Sequence, residues 1–443
     1  MRNDHKNSIN EILNLVSQFI EGKIVNLDKA NRKKPNIFHY YTEIVRYWSR
    51  LNYILQKTLR SLDVYDLPQK DRATYIYTIY RKTQENEAKK NILNELNLSI
   101  DQSTNISRFI DKLETFSWER ALSGKSKLEI LSIKEAIPTF VIDRLLSVMS
   151  FNVMKENIQS MNEYHNYDNF IRVYDLGIKI SNQNFINILK NELWEYNIPM
   201  KRDPEISELI HIPNDKKSII LKSSSYLSSK IIFQDKASAT VIKVLSPQPF
   251  EYICDMCAAP GNKTNLIAQY TSNQARVIAG EFLPKRAFKM SNLINRTNCL
   301  NTHLINCDSI QFPLRSKNKF DRILLDAPCT GSGTFLTNPE LKWRQNKNFL
   351  YQNVTIQEKL IERALRLLKP NGIFVYSTCS LYPEEGELQI LKYISMLKPL
   401  QLPEWFSPSY RINDQIVPGT GRLFPSMHHT HGFFIGKFKK KEK

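Results

Sequence analysis

The sequence predicts an α/β protein. A doubly wound, mostly parallel sheet fills the C-terminal half, preceded by a small α+β module and an all-helical N-terminal region. Three observations carry this. From about residue 236 onward, short apolar runs alternate with stretches of helical period, the pattern of a parallel sheet with crossover helices. Residues 1 to about 150 contain almost no glycine and repeat their apolar residues at helical spacing. Between them, residues 151–235 carry a few strand-like runs around one amphipathic helix.

In the N-terminal region, Ile9-Asn10-Glu11-Ile12-Leu13-Asn14-Leu15-Val16 and Tyr47-Trp48-Ser49-Arg50-Leu51-Asn52-Tyr53-Ile54-Leu55 show the helical period. Basic residues lie among aromatics around Arg46, Arg50, Lys57, Arg60, Arg72, Arg81 and Lys82. They read equally as an RNA-facing surface or as a solvated helix face. In the middle unit, Phe170–Val173 reads as a strand and Phe185–Leu193 as a helix, with further strands at Ile206–Ile212 and Ser218–Leu221. That size and order suggest an RRM-like fold, without the aromatic RNP signature of base-stacking versions. In the C-terminal half, the predicted strands are Tyr252–Met256, Arg276–Gly280, His303–Asn306, Phe320–Leu325 and Gly372–Tyr376. A helix over Ile356–Lys369 carries its apolar residues on one face and stops at Pro370-Asn371-Gly372. The domain boundaries are therefore drawn at 1–150, 151–235 and 236–443.

The chain has 443 residues, 42% hydrophobic and 11% aromatic, enough for a substantial core. No run approaches the ~18 uninterrupted apolar residues of a membrane span. The N-terminus lacks the apolar core of a signal peptide. A cytoplasmic protein, acting as a monomer and without a membrane partner, is the expectation. The net charge of +18 and pI of about 9.4 favour a polyanionic partner, with nucleic acid first among them. Six cysteines, at 254, 257, 299, 307, 329 and 379, are too few for a disulfide scaffold. Cys254 and Cys257 form a CxxC, but Cys254 falls inside an apparent buried strand. No second pair completes four ligands, so no metal is expected. His428, His429 and His431 read as a loop.

Cys329 follows the run Arg322-Ile323-Leu324-Leu325 within Asp326-Ala327-Pro328-Cys329-Thr330-Gly331-Ser332-Gly333. Cys379 follows Ile373-Phe374-Val375-Tyr376 within Ser377-Thr378-Cys379-Ser380. The carboxyl ends of neighbouring strands line the ligand crevice of an open α/β sheet, so two thiols there can face one substrate. That suits covalent attack on an electron-poor ring. A lone strand-end cysteine is usually inert; two in these contexts are much less so.

The first strand runs into Asp255-Met256-Cys257-Ala258-Ala259-Pro260-Gly261-Asn262-Lys263-Thr264, a small-residue turn with a helix beginning near Thr264. It is neither a GxGxxG nor a Walker A loop. Glu281, ending the second strand twenty positions after Gly261, is placed to accept ribose hydroxyls. Asp308, after the third strand, is placed to bond an adenine amino group. Singly, each acid reads as a cap or surface residue. The ordered set of glycine loop, Glu281, Asp308 and Asp326 fits an adenosyl cofactor without a pyrophosphate, S-adenosylmethionine.

With these motifs in place, the sequence resembles the RNA cytosine-5 methyltransferases of the Sun/Nop2 type. The matching segments are Phe233–Ser238, Asp255–Thr264, Asp326–Gly333, Ser377–Ser380 with Pro383-Glu384-Glu385, and Gly432-Phe433-Phe434. The resemblance implies a Rossmann-like class I methyltransferase domain behind the RRM-like module. The first 150 residues resemble, more loosely, the NusB-like helical domain of rRNA-modifying members. It further implies that Cys379 is the attacking nucleophile and that Cys329 assists release of the methylated product. Asp326 then sits beside cytosine N3, and Lys263 pairs with Asp326 or the cofactor. The cofactor contacts it implies are Cys257, Ala258, Ala259, Pro260, Gly261, Asn262, Lys263, Glu281, Arg286, Asp308 and Asp326. The family's loop usually reads Gly-Gly-Lys. Asn262 departs from it, and asparagine tolerates positive φ better than most residues.

The substrate implied is an RNA cytosine that is unpaired or flipped out, in rRNA first and tRNA second. A catalytically idle RNA-binding assembly factor is one alternative. A DNA cytosine-5 methyltransferase, with Pro328-Cys329 as its nucleophile motif, is another, against which the second cysteine and the RNA-type front domains argue.

Overall fold

The computed structural model describes residues 2–23, 25, 34–59, 64, 66–163, 167–173, 182–314 and 319–442. They form two compact units, Met1–Ile142 and Asp143–Lys443.

The first unit is helical. Its helices include Arg2–Ile20, Pro35–Arg46, Trp48–Thr58, Gln69–Thr83 and Ile100–Glu114. Their apolar faces meet in a core containing Val16, Ile37, Tyr41, Leu51, Leu55, Ile76 and Ile110. Serines mark several starts: Ser99 accepts the Gln102 N–H, and Ser126 with Glu129 forms a capping box. The basic residues among the aromatics divide in a way the sequence did not foretell. Arg46, Arg72 and Arg81 are buried and belong neither to a solvated face nor to an RNA-facing one. Arg46 pairs with Glu43 at 2.8 Å, and Arg72 donates to Asn52 Oδ1. Arg81 is held by Glu85, Glu87 and Glu95. Lys57 stays exposed and Lys82 pairs with Glu114 at 3.0 Å. Arg60 lies outside the described residues.

The second unit opens with an antiparallel sheet of β1 (Asn169–Val173), β2 (Lys201–Arg202), β3 (Leu209–Ile212) and β4 (Ile231–Phe233), in the order β2-β3-β1-β4. One face packs on the helix Asn182–Glu192 through Ile186 and Leu189. Two sequence expectations fail here. The strand expected from Ile206 starts only at Leu209, because the Asp203 carboxylate accepts the N–H groups of Glu205 and Ile206 and closes a turn. Ser218–Leu221 is not a strand but falls on the helical turn Lys217–Ile220. A three-residue apolar run does not distinguish the two, and Ile220 reaches the module's core from the helix.

The main sheet holds β5 (Tyr252–Asp255), β6 (Arg276–Glu281), β7 (Thr302–Asn306), β8 (Phe320–Asp326) and β9 (Leu368–Thr378), all parallel. Four short strands follow, β10 (Leu397–Pro399), β11 (Ser407–Pro408), β12 (Arg411–Ile412) and β13 (Gln415–Ile416), then β14 (Thr420–Leu423) and β15 (Phe433–Lys440). The order is β11-β14-β15-β9-β8-β5-β6-β7, with β15 antiparallel to β9 and β10 on β15. The helices Asn262–Tyr270, Pro284–Arg296 and Lys347–Leu367 cross over between parallel strands. Strand order reverses between β5 and β8, so the ligand crevice opens at the carboxyl ends of those two strands. The last of these helices is longer than its expected Ile356 start, since Asn346 caps it by accepting the Phe349 N–H. It ends at Leu367, and Pro370-Asn371-Gly372 falls inside β9, where Asn371 adopts φ +60°. His428 closes a short helix, Pro425–His428, within the segment read as a loop.

Candidate active site

The loop after β5 sits at the switch point. Gly261 has φ +103°, the left-handed region that glycine enters without cost, and a Cβ there would meet Met290 Cγ at 2.9 Å. Asn262 is the first helical residue and does not take positive φ. The positive-φ position is Gly261, so tolerance of positive φ is not what Asn262 supplies. Its Nδ2 donates to Phe233 O at 3.1 Å, tying the loop to β4.

Four carboxylates follow along the strand ends. Asp255, ending β5, is fully buried; its Oδ2 accepts from Thr264 Oγ1 at 2.7 Å, and its Oδ1 has no hydrogen-bond partner. Burial pushes its pKa up to about 7. Glu281, ending β6, accepts the Leu283 N–H at 2.9 Å and the Ala259 N–H at 3.3 Å, one on each oxygen. Each oxygen keeps a lone pair for a further donor. Arg286 approaches Glu281 at 3.7 Å and donates to Ala259 O at 2.5 Å. Asp308, after β7, is exposed, and its Oδ1 accepts the Ile310 N–H as a cap. Asp326, ending β8, pairs with Lys263 at 2.8 Å across the switch point and accepts from Ser377 Oγ at 2.7 Å. Burial works against the Lys263 charge, but Asp326 and then Asp255 outweigh it and hold the ammonium pKa above the ordinary lysine value. The glycine loop, the partly free carboxylates at the end of β6 and after β7 and the orphaned buried oxygen on β5 form an acceptor set that fits an adenosyl group with a cationic tail.

The two strand-end cysteines meet: Cys329 Sγ and Cys379 Sγ lie 3.1 Å apart, both as free thiols. Register explains it. Asp326 on β8 stands opposite Ser377 on β9, so each cysteine leaves its strand at the same level two or three residues later. The loops are locked at Gly333, whose N–H donates to Cys379 O at 3.0 Å and whose missing side chain leaves room for Gly432 O. The hydrogen bond with Cys379, then burial, then the negative charge of Glu385 hold the Cys329 thiol well above the ordinary thiol range. Cys379 instead lies within electrostatic reach of the Lys263 ammonium.

Sequence reasoning gave no role to a buried layer beneath these thiols. Glu385, quoted only within its motif, accepts from Thr330, and Arg422 pairs with Glu387 at 2.6 Å in full burial while donating to Ser380 O. Only proximity in space singles them out; a charged residue buried without solvent is the one sequence-independent signal. Cys254, inside β5, is buried apart from the paired thiols, and among the described residues no three His, Cys, Asp or Glu gather as a metal needs.

Comparison with known proteins places this architecture. A family model described as 16S rRNA methyltransferase RsmB/F matches residues 242–439. The tRNA (cytosine(49)-C(5))-methyltransferase of Pyrococcus abyssi is 34% identical over 227 residues, which cover 48% of this chain and 72% of that protein. This chain belongs to the RsmB/F (Sun/Nop2-type) family of RNA cytosine-C5 methyltransferases. A probable ribosomal RNA small subunit methyltransferase B of Synechocystis is 35% identical over 210 residues. The chain spans about half the length of that relative, 47%. The crystal structure of PH0851, 23% identical, superposes with a TM-score of 0.79 over 97% of this chain and 98% of its own, a likeness of fold that takes in the helical region. The C-terminal sheet is thus the Rossmann-like methyltransferase sheet of this RNA cytosine-C5 methyltransferase family.

Proposed function

We propose that this chain is an S-adenosylmethionine-dependent RNA cytosine-C5 methyltransferase, acting on rRNA in the cytoplasm as a monomer, with tRNA as the second substrate class. The observation that carries this is the pair of thiols 3.1 Å apart beside the Lys263–Asp326 pair. Family membership and a net charge of +18 support an RNA substrate. Residues 151–235 serve as an RRM-like module and 1–150 as a NusB-like RNA-binding domain.

Cytosine C5 is a poor nucleophile. The Cys379 thiolate adds to C6, forming an S–C6 bond and moving the ring's electron pair toward C5. The thiolate is the reactive form of that sulfur, and the Lys263 ammonium lies within electrostatic reach of it. Asp326, held by Lys263 and Ser377, meets the N3 edge and stabilises the proton that the ring takes up there from water. Cys257–Lys263, Glu281, Arg286, Asp308 and Asp326 hold the cofactor, which when bound supplies a sulfonium methyl that C5 accepts. Cys329, a neutral thiol at rest, first loses its proton to water; as a thiolate it then accepts the C5 proton and returns to its resting form while N3 releases its own proton to water. The S–C6 bond breaks, its electron pair returns to Cys379 and the C5=C6 bond re-forms.

Tritiated methyl transfer to bulk RNA from a deletion strain tests the reading. Cys379→Ala is expected to abolish transfer. Cys329→Ala is expected to trap an RNA–protein adduct on a denaturing gel. Full-rate methylation by Cys379→Ala sinks the mechanism. A wild-type protein without measurable cofactor binding returns the idle assembly factor.

A further inference from the structure

Resting on the reaction proposed above, we propose that Glu385 is the positioning residue that sets Cys329 against Cys379. It belongs to the short turn after β9, and both ends of the residue grip a cysteine loop. Its carboxylate accepts the Thr330 N–H at 2.9 Å and the Thr330 hydroxyl at 2.5 Å, on the residue after Cys329. Its backbone carbonyl accepts from Tyr376 OH at 2.9 Å and Thr378 Oγ1 at 3.2 Å, the latter on the residue before Cys379. Gln357 completes the grip. Its Nε2 donates to Glu385 Oε1 at 3.0 Å and to Pro328 O at 2.8 Å, on the residue before Cys329. Cys329 is therefore held from both sides by groups that converge on one carboxyl.

A carboxyl in such a place is costly. Glu385 has no solvent exposure, and an apolar side chain of its size would avoid the desolvation penalty. The donors explain its presence. The Thr330 N–H is buried and is not spent in the sheet, so it needs a fixed acceptor. The same negative charge adds a smaller part, after the Cys379 hydrogen bond and burial, to what keeps the proton on Cys329. Loss of the grip frees the Cys329 loop while leaving Cys379, Lys263 and the cofactor loop in place. The first half of the reaction then proceeds and the second half fails.

Glu385→Met is the informative variant, because it keeps the volume and removes the acceptor. Turnover is expected to fall ~10- to 100-fold, the usual effect of removing a residue that orients a reacting group. The RNA–protein adduct accumulates as in Cys329→Ala, while calorimetric affinity for S-adenosylmethionine stays within about twofold. Glu385→Gln, whose amide oxygen still accepts the Thr330 N–H, recovers most of the turnover. A folded Glu385→Met protein that turns over normally, or that loses turnover without adduct, overturns the proposal. If that variant does not fold, Thr330→Val decides: a smaller adduct yield supports the grip, and none overturns it. Wild-type protein that methylates no RNA cytosine sinks the underlying reaction instead.

Discussion

Asp255 illustrates how one buried atom ties the site to pH. Its Oδ2 is satisfied by Thr264, and its Oδ1 is buried without a partner. The carboxyl prefers to stay protonated, with a folded pKa of about 7 against an ordinary 3.8. The native state therefore holds a proton that the unfolded chain releases between those values. Unfolding then sheds a proton, and stability falls as pH rises. The contribution is fully present below about pH 4 and lost through pH 7. Its ceiling is about 4 kcal/mol, three pKa units at ~1.4 kcal/mol each. Asp255→Asn should flatten the decline of urea midpoints between pH 5 and 8 and equal or exceed the wild type at pH 8. Parallel pH profiles for the two proteins would sink this account. The residue lay inside a motif the sequence picked out, yet its role did not, because burial and the orphaned oxygen exist only after β5 is enclosed.

At the scale of elements, what was legible followed periodicity. Alternating apolar runs located the five parallel strands to within a few residues, since strands buried on both faces read as continuous apolar stretches. Two strand-end cysteines 50 positions apart are expected to face one substrate, and β8–β9 register brings their sulfurs within 3.1 Å of each other. What periodicity could not supply was the content of short segments. Ser218–Leu221 turns out helical because three consecutive apolar residues fit either period. Glu385 and Arg422 were passed over because their partners are distant along the chain. The contact between the loop of Cys329 and the entry to β15 belongs to the same class. A Cβ on Gly333 would lie 2.0 Å from Gly432 O, a backbone atom that cannot step aside. Gly333→Ala is expected to cost about 3 kcal/mol or more by overpacking, and to lower turnover because Gly333 also bonds Cys379 O. A melting temperature within a degree of wild type would refute that.

Across the whole molecule, the charge of +18 is not one surface. In the helical unit, Arg46, Arg72 and Arg81 spend their charge inside the fold, and Arg81 alone holds three glutamates. Removing that guanidinium leaves three like charges close together and without their shared counter-charge, which destabilises the helical unit. RNA affinity depends on cations that remain free to replace counterions, each phosphate contact on a single strand adding about 0.7 to the slope of log K against log salt. The two roles therefore separate in one experiment. Arg81→Met should lower the melting temperature and leave the salt slope of RNA binding unchanged in fluorescence anisotropy. Lys57→Gln, on an exposed lysine, should leave the melting temperature unchanged and, where that lysine meets a phosphate, lower the slope by about 0.7. A changed slope for Arg81→Met at full stability would put the buried arginine on the RNA after all.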